Sequence, residues 1–299
     1  MKKLKKVPIR IGSQQKEILF FVWRWKVVSN NMLLYKFFSE KTNPKNACKC
    51  CLRKLMRNGF IKRYYALDAL SSGWQLTKKG YAFLKEFLPE LRKEGFLSDS
   101  VNHDLKVNCV TIGAMLRQQI DNAKLHLCSD QELKTLDSSI LPSWISKDLS
   151  HRPDAYFRIL DNTKEKKIAL EVETSLKSID RYMDIGNFYN DNEFIDMVIW
   201  FVERRKWIST MQKGFNKCLS SSRDIHYFFL WDEFEINNFE VESFFSQNVD
   251  QKLSELLNIR LRPEPDPGRT LAEPPGVLNL LLRHTRTLIN TNFYKEVTK

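Results

Sequence analysis

The sequence has no long apolar run. Nothing in it approaches the roughly 18 residues that a membrane span requires. Leu19-Phe-Phe-Val-Trp23 is short and flanked by Arg24 and Lys26, so it reads as a core segment. The basic start, Met1-Lys-Lys-Leu-Lys-Lys6, is followed by neither an apolar h-region nor a small-residue cleavage site. No secretory leader is therefore expected, and the chain reads as cytoplasmic with no membrane span. The 6 cysteines, Cys48, Cys50, Cys51, Cys109, Cys128 and Cys218, form no disulfide framework, in keeping with a reducing compartment. Cys48-Lys-Cys-Cys51 lacks a second Cys/His pair to complete a tetrahedral metal site, so small buried thiols on a helix are the better reading. No P-loop is present, which argues against an ATPase.

What is present is length and positive charge. A chain of 299 residues has room for two domains with separate cores. Lys and Arg number 48 against 36 Asp and Glu, a net charge of +12. A field of that sign favours polyanions, nucleic acid before an anionic membrane.

The first domain is expected over residues 1–92. Ser13 reads as the N-cap of a helix with Ile18, Phe21, Val22 and Trp25 on its apolar side. A short helix follows around Asn31 to Ser39. Asn43-Pro44 then offers a cap and a proline at the first position of a third helix, which Asn58-Gly59 ends. That helix carries Lys45, Lys49, Arg53, Lys54 and Arg57, with Leu52, Leu55 and Met56 opposite. Phe60 to Ala66, with Lys62 and Arg63, and Trp74 to Leu76 read as two strands. Thr77 opens another helix running to about Leu88.

Helix, helix, basic helix and hairpin is the order of a winged helix-turn-helix. In such a domain the third helix enters the major groove of double-stranded DNA and the hairpin follows the phosphates. Two other readings stay open: a helical domain with a solvated basic face, and a winged helix used for protein contacts.

Pro89 and the charged run to Gly95 mark a linker. A second domain, residues 99–248, begins with a helix from about His103 to Lys124. Leu125-His-Leu127 is a candidate strand, and residues 129–150 read as polar and irregular. Arg152-Pro-Asp-Ala155 opens a strand to Leu160, and a short connection leads to Lys167-Ile-Ala-Leu-Glu-Val-Glu173, a hairpin signal. A helix with Leu176, Ile179, Tyr182 and Met183 on one face follows. Asp196–Val202 and Ile225–Trp231 read as strands buried on both faces, separated by a basic helix from Arg204 to Cys218. The fold class is thus α/β (α+β), with the winged helix-turn-helix followed by a mixed sheet flanked by helices. The third segment, residues 249–299, holds a helix around Gln251–Ile259, a Pro-rich stretch from Arg262 to Gly276 and a short helix over Leu278–Ile289.

Carboxylates at the ends of two adjacent strands, Asp154 on one and Glu171 and Glu173 on the next, are a common way to hold a divalent metal against a phosphodiester. Period-two geometry puts Glu171 and Glu173 on one face. The Pro-Asp…Glu-x-Glu pattern and the strand order resemble the restriction-endonuclease-like fold with its PD-(D/E)xK motif. More narrowly, the layout resembles the replication-relaxation family, which includes the C class of plasmid mobilisation relaxases. The matching residues are the N-terminal winged helix, His103-Asp-Leu-x-Val-Asn108, Arg152-Pro-Asp-Ala155 and Leu170-Glu-Val-Glu173.

This resemblance implies a metal-dependent endonuclease or relaxase that nicks or processes plasmid or mobile-element DNA in mobilisation or replication. Asp154 and Glu171 would be metal ligands with Glu173 beside them, and Mg²⁺ or Mn²⁺ the cofactor. A second copy of the chain or other DNA-processing proteins would be further partners. The chain departs from the motif at Glu173, where a lysine is usual. Lys177 or Arg181, expected on the following helix, would restore the charge, Lys177 being better placed. His103 and Asp104 are candidates to line the same cleft, with a helix N-cap as the alternative role for Asp104. No His-hydrophobic-His motif is present, which argues against the histidine-metal type of relaxase. The alternative function is a non-catalytic winged-helix DNA-binding regulator or replication accessory with a degenerate nuclease fold.

Overall fold

The computed structural model describes residues 11–65, 72–117, 124–146, 148, 150–161, 164–218, 225–243 and 251–257. The Pro-rich stretch and the helix expected over Leu278–Ile289 lie outside the described residues, as does most of the turn expected from Asp68 to Gly73.

Helix α1, Ser13–Trp25, buries Ile18, Leu19, Phe21, Val22 and Trp25 on the face that the spacing marks as apolar. Its cap is Gly12 and not Ser13. Gln15 reaches back so that its Oε1 accepts the Gly12 N–H at 3.2 Å, which draws Ser13 into the first turn. A two-residue strand β1, Val28–Ser29, and helix α2, Asn30–Phe37, follow. Helix α3, Pro44–Arg57, starts where expected: Asn43 Oδ1 accepts from Asn46 N at 3.2 Å, and Pro44 gives up an N–H that has no helical partner anyway. Gly59, at φ +74°, ends it in the left-handed conformation that costs glycine nothing.

Strands β2, Ile61–Tyr65, and β3, Ser72–Leu76, form an antiparallel pair, and β1 adds to β3 to give a sheet in the order β1-β3-β2. Helix α4, Lys78–Lys85, is capped by Thr77, whose Oγ1 accepts from Gly80 N at 3.0 Å. A Cβ at Gly80 would lie 2.0 Å from the Phe60 carbonyl oxygen, so α4 packs against the start of β2 only because residue 80 is glycine.

The rest of the described chain builds a second sheet. Helix α5, Val101–Arg117, precedes β4, Lys124–Ser129, and helix α6, Asp130–Thr135. That helix lies within the stretch expected to be irregular. Ser129 and Glu132 form a capping box there, with Ser129 Oγ accepting from Glu132 N and Glu132 Oε2 accepting from Ser129 N. Strands β5, Ala155–Asp161, and β6, Lys164–Glu173, form the expected hairpin. Then come helix α7, Ile179–Asp191, strand β7, Met197–Val202, helix α8, Arg205–Phe215, strand β8, His226–Leu230, and helix α9, Trp231–Asn237. A 3₁₀ turn, Asn238–Glu240, and helix α10, Leu253–Leu256, complete the described elements. Leu176, expected on the apolar face of the helix after β6, precedes α7 and is exposed.

The strand order is β4-β5-β6-β7-β8. The β4-β5-β6 pairs are antiparallel, while β6-β7 and β7-β8 are parallel. Strand β7 is buried throughout, as its unbroken apolar sequence requires. One face of the sheet carries Phe157, Ile168, Leu170, Val172 and Phe201. These residues belong to the same buried cluster as Val107 and Val110 of α5 and Ile18 and Val22 of α1. The other face carries Tyr156, Ala169, Val198 and Trp200, packed with Tyr182, Tyr189, Ile208 and Met211 of α7 and α8.

The segment read as a linker is held by α1, α4 and α6. Gly95 O accepts from Trp23 Nε1 at 3.3 Å and from Gln131 Nε2 at 2.7 Å, and Phe96 stacks on Tyr81. Among the described residues no helix is long and apolar enough to cross a membrane.

Candidate functional site

Helix α3 has two unlike faces. Cys48, Leu52 and Leu55 are buried, whereas Lys45, Lys49, Arg53, Lys54 and Arg57 are exposed. Met56, expected on the buried side, is exposed as well. Lys45, Lys49, Arg53 and Arg57 follow one another at four-residue spacing, so their charges stack along one row of the helix and repel. No acidic residue occurs between Glu40 and Asp68 in the sequence. Among the described residues no ion pair engages these five cations. Lys62 and Arg63 lie exposed on β2, the strand next in sequence.

The expectation of buried thiols on this helix holds for Cys48, whose thiol burial pushes up to about 11. It fails for Cys50, which is exposed. Position 50 falls on the solvent side of the same helical repeat that buries position 48.

The three carboxylates belong to the five-stranded sheet. Asp154 immediately precedes β5. Its N–H donates to Leu170 O at 3.0 Å and its Oδ2 accepts from Val172 N at 2.8 Å, so backbone and side chain both lock it against β6. The same Oδ2 lies 3.2 Å from His103 Nε2, on the first turn of α5. Glu171 and Glu173, two apart on β6, share the face covered by α7. Glu171 Oε1 lies 2.5 Å from His151 Nε2 and accepts a hydrogen bond from the Tyr189 hydroxyl. Glu173 Oε2 accepts from the Tyr182 hydroxyl at 2.6 Å, and Lys177 Nζ pairs with Oε1. Glu171 is 5% exposed and Glu173 2%.

Each carboxylate thus has one basic partner: His103, His151 and Lys177. Lys177 also lies in the field of Glu171 and Asp154. It sits in the loop ahead of α7, not on the helix as expected, because Ser178 caps that helix with its Oγ on Arg181 N. Arg181 itself is exposed on α7.

His103 is half-buried, and that desolvation would lower its pKa, but hydrogen bonds and charges from Asp104 and Asp154 outweigh it and push it up to about 10. Asp104 is no helix cap, since α5 begins at Val101. Its Oδ1 accepts from Lys26 Nζ at 3.1 Å. Burial would raise the Asp104 carboxyl, yet His103 and Lys26 together hold it below its ordinary range. The Tyr189 hydroxyl is driven well up by burial and by Glu171.

Among the described residues no group of three or more His, Cys, Asp and Glu side chains is placed to hold a metal ion. Carboxylate oxygens are the donors that Mg²⁺ or Mn²⁺ prefers. Here those of Asp154, Glu171 and Glu173 are taken up by separate protein partners.

Sequence reasoning missed His151, Tyr182 and Tyr189 as partners. The signals were present: His151 abuts Arg152-Pro-Asp, and Tyr182 and Tyr189 are seven apart, two turns along one helix face. Lys26 gave no comparable signal.

No protein-family model matches the chain, and no curated protein does. A solved structure of a mutant of ZitR from Lactococcus lactis is similar over 28% of this chain, at 25% identity and a TM-score of 0.23. The match spans 55% of that chain, about half its length.

Proposed function

We propose that the chain is a double-stranded DNA-binding protein of the winged helix-turn-helix type, a regulator or replication accessory. Helix α3 enters the major groove and the β2–β3 hairpin lies along the phosphates. The observation that carries this reading is the outer face of α3, a row of exposed cations with no acidic residue on the helix to neutralise it. Their mutual repulsion is relieved by a polyanion, and counterion release from the duplex supplies the driving force. The test is fluorescence anisotropy with duplex DNA. Wild type binds, and the Lys49→Glu, Arg53→Glu double variant loses affinity while keeping its fold. Equal affinity in both would remove α3 from the interface.

A second reading has its own observation. The order α5, β4, α6, β5, β6, α7, β7, with antiparallel and then parallel pairing, resembles the core of restriction-endonuclease-like nucleases. Lys177 supplies beside Glu173 the positive charge that the motif usually carries at that position. On this reading the protein nicks the DNA it binds, in the manner of a relaxase on plasmid or mobile-element DNA.

The binding reading stands first because Asp154, Glu171 and Glu173 are engaged by His103, His151 and Lys177, and Mg²⁺ or Mn²⁺ would have to displace those partners. Incubation of supercoiled plasmid with and without each cation, for wild type and Asp154→Ala, separates the two. Nicking that disappears in the variant favours the nuclease. Nicking that persists in it removes Asp154 from the site, and DNA binding without nicking leaves the regulator.

A further inference from the structure

Helix α1 ends at Lys26, which has φ 58° and is the one non-glycine residue with positive φ among those described. A lysine keeps that backbone only where its surroundings fix it. Asn108 of α5 does so from one side, its Nδ2 donating to Trp25 O at 3.0 Å and to Val27 O at 2.5 Å. The Lys26 side chain, 12% exposed, reaches the other way. Its Nζ lies 3.1 Å from Asp104 Oδ1 and 2.8 Å from Asp130 Oδ2.

Both aspartates lead to Asp154. Asp104 Oδ1 is 3.4 Å from His103 Nδ1, and His103 Nε2 is 3.2 Å from Asp154 Oδ2. Asp130 N donates to Asp154 O at 3.1 Å. Lys26, Asp104, His103, Asp154 and Asp130 therefore form a closed ring. It joins the end of α1 to α5, α6 and the start of β5.

We propose that Lys26 is a positioning residue that sets the His103–Asp154 pair, so that the carboxylate cluster of the five-stranded sheet is completed by the unit that bears α3. The inference holds whether or not DNA is bound. Lys26 Nζ neutralises two aspartates that face it together. Without it their charges oppose each other, and the His103 ring is drawn toward Asp104 and away from Asp154.

The experiment reads the His103 ring in the full-length protein by NMR, with ring resonances assigned through His103→Gln. Lys26→Met is expected to move the ring nitrogen shifts of His103, and Lys26→Arg to restore them. Leu55→Ala, which opens a buried position on α3 away from this network, serves as the control for general destabilisation and leaves them in place. Asp130→Asn, which weakens one arm only, is expected to move them by less and gives the same reading should Lys26→Met fail to fold. Wild-type His103 shifts in Lys26→Met, or in Asp130→Asn if the former does not fold, would overturn the proposal. So would a shift in Leu55→Ala as large as that in Lys26→Met.

Discussion

The cations of α3 and the carboxylates of the five-stranded sheet have opposite fates within one chain. Lys45, Lys49, Arg53, Lys54 and Arg57 stand in solvent with no counter-charge among the described residues. Asp154, Glu171 and Glu173 are locked into the sheet and each is met by a base. A charge that the fold leaves unpaired is available to a ligand. One that the fold has already paired is costly to strip of its partner and must be released before it can do anything else. On the proposed reading, recognition falls to α3, and the carboxylate cluster is architectural first.

The largest effect that could break this contrast is on stability. Glu171→Ala leaves the buried Tyr189 hydroxyl without its acceptor and the half-buried His151 without its partner, and should cost about 3 kcal/mol in chemical denaturation, with little change in DNA affinity. A loss below about 0.5 kcal/mol would mean that the cluster behaves as a solvated edge. The mirror-image change is the charge reversal Lys49→Glu with Arg53→Glu. It should weaken duplex binding on the order of 100-fold. Denaturation should change by no more than about 0.5 kcal/mol, since both side chains are exposed.

A smaller effect follows from His103. Its pKa is about 10 in the fold against 6.5 for an ordinary imidazole, so the folded state holds that proton more tightly than the unfolded chain does. The stabilisation is complete below pH 6.5 and is lost as pH rises toward 10. Its slope in that window is at most about 1.4 kcal/mol per pH unit. Melting curves of wild type and His103→Gln between those values should show the decline in the first and its absence in the second. Smallest is Asn43→Ala, which removes the α3 cap and should cost about 1 kcal/mol. It sharpens the comparison by lowering helix order without touching a charge, and DNA affinity should fall far less than on charge reversal.

What could be read from the sequence was what local chemistry decides. Asn43-Pro44 and Thr77 announced their helices because caps satisfy backbone N–H groups within three residues. The β5–β6 hairpin and the wholly apolar β7 followed from alternation and burial. Lys177, expected on the following helix, instead pairs with Glu173 from the loop before it.

Partnership across long separations was not legible. His103 and Asp104 are neighbours in sequence, yet the first turns to Asp154 and the second to Lys26. Only the packing of α5 between the two sheets decides which does which. His151 beside Glu171 depends in the same way on how the loop before β5 folds back over β6. Helix α6 was hidden because six residues carry little periodic signal, although its capping box, Ser129 with Glu132, was there to be read.

The most direct measurement of the central claim is the salt dependence of duplex binding. Wild type should show log K falling steeply and linearly with log salt. Each single replacement of Lys45, Lys49 or Arg53 by alanine should reduce the magnitude of the slope by about 0.9 for every phosphate no longer neutralised. A slope near zero, or one that these three substitutions leave unchanged, would contradict the assignment of α3 as the DNA-binding face.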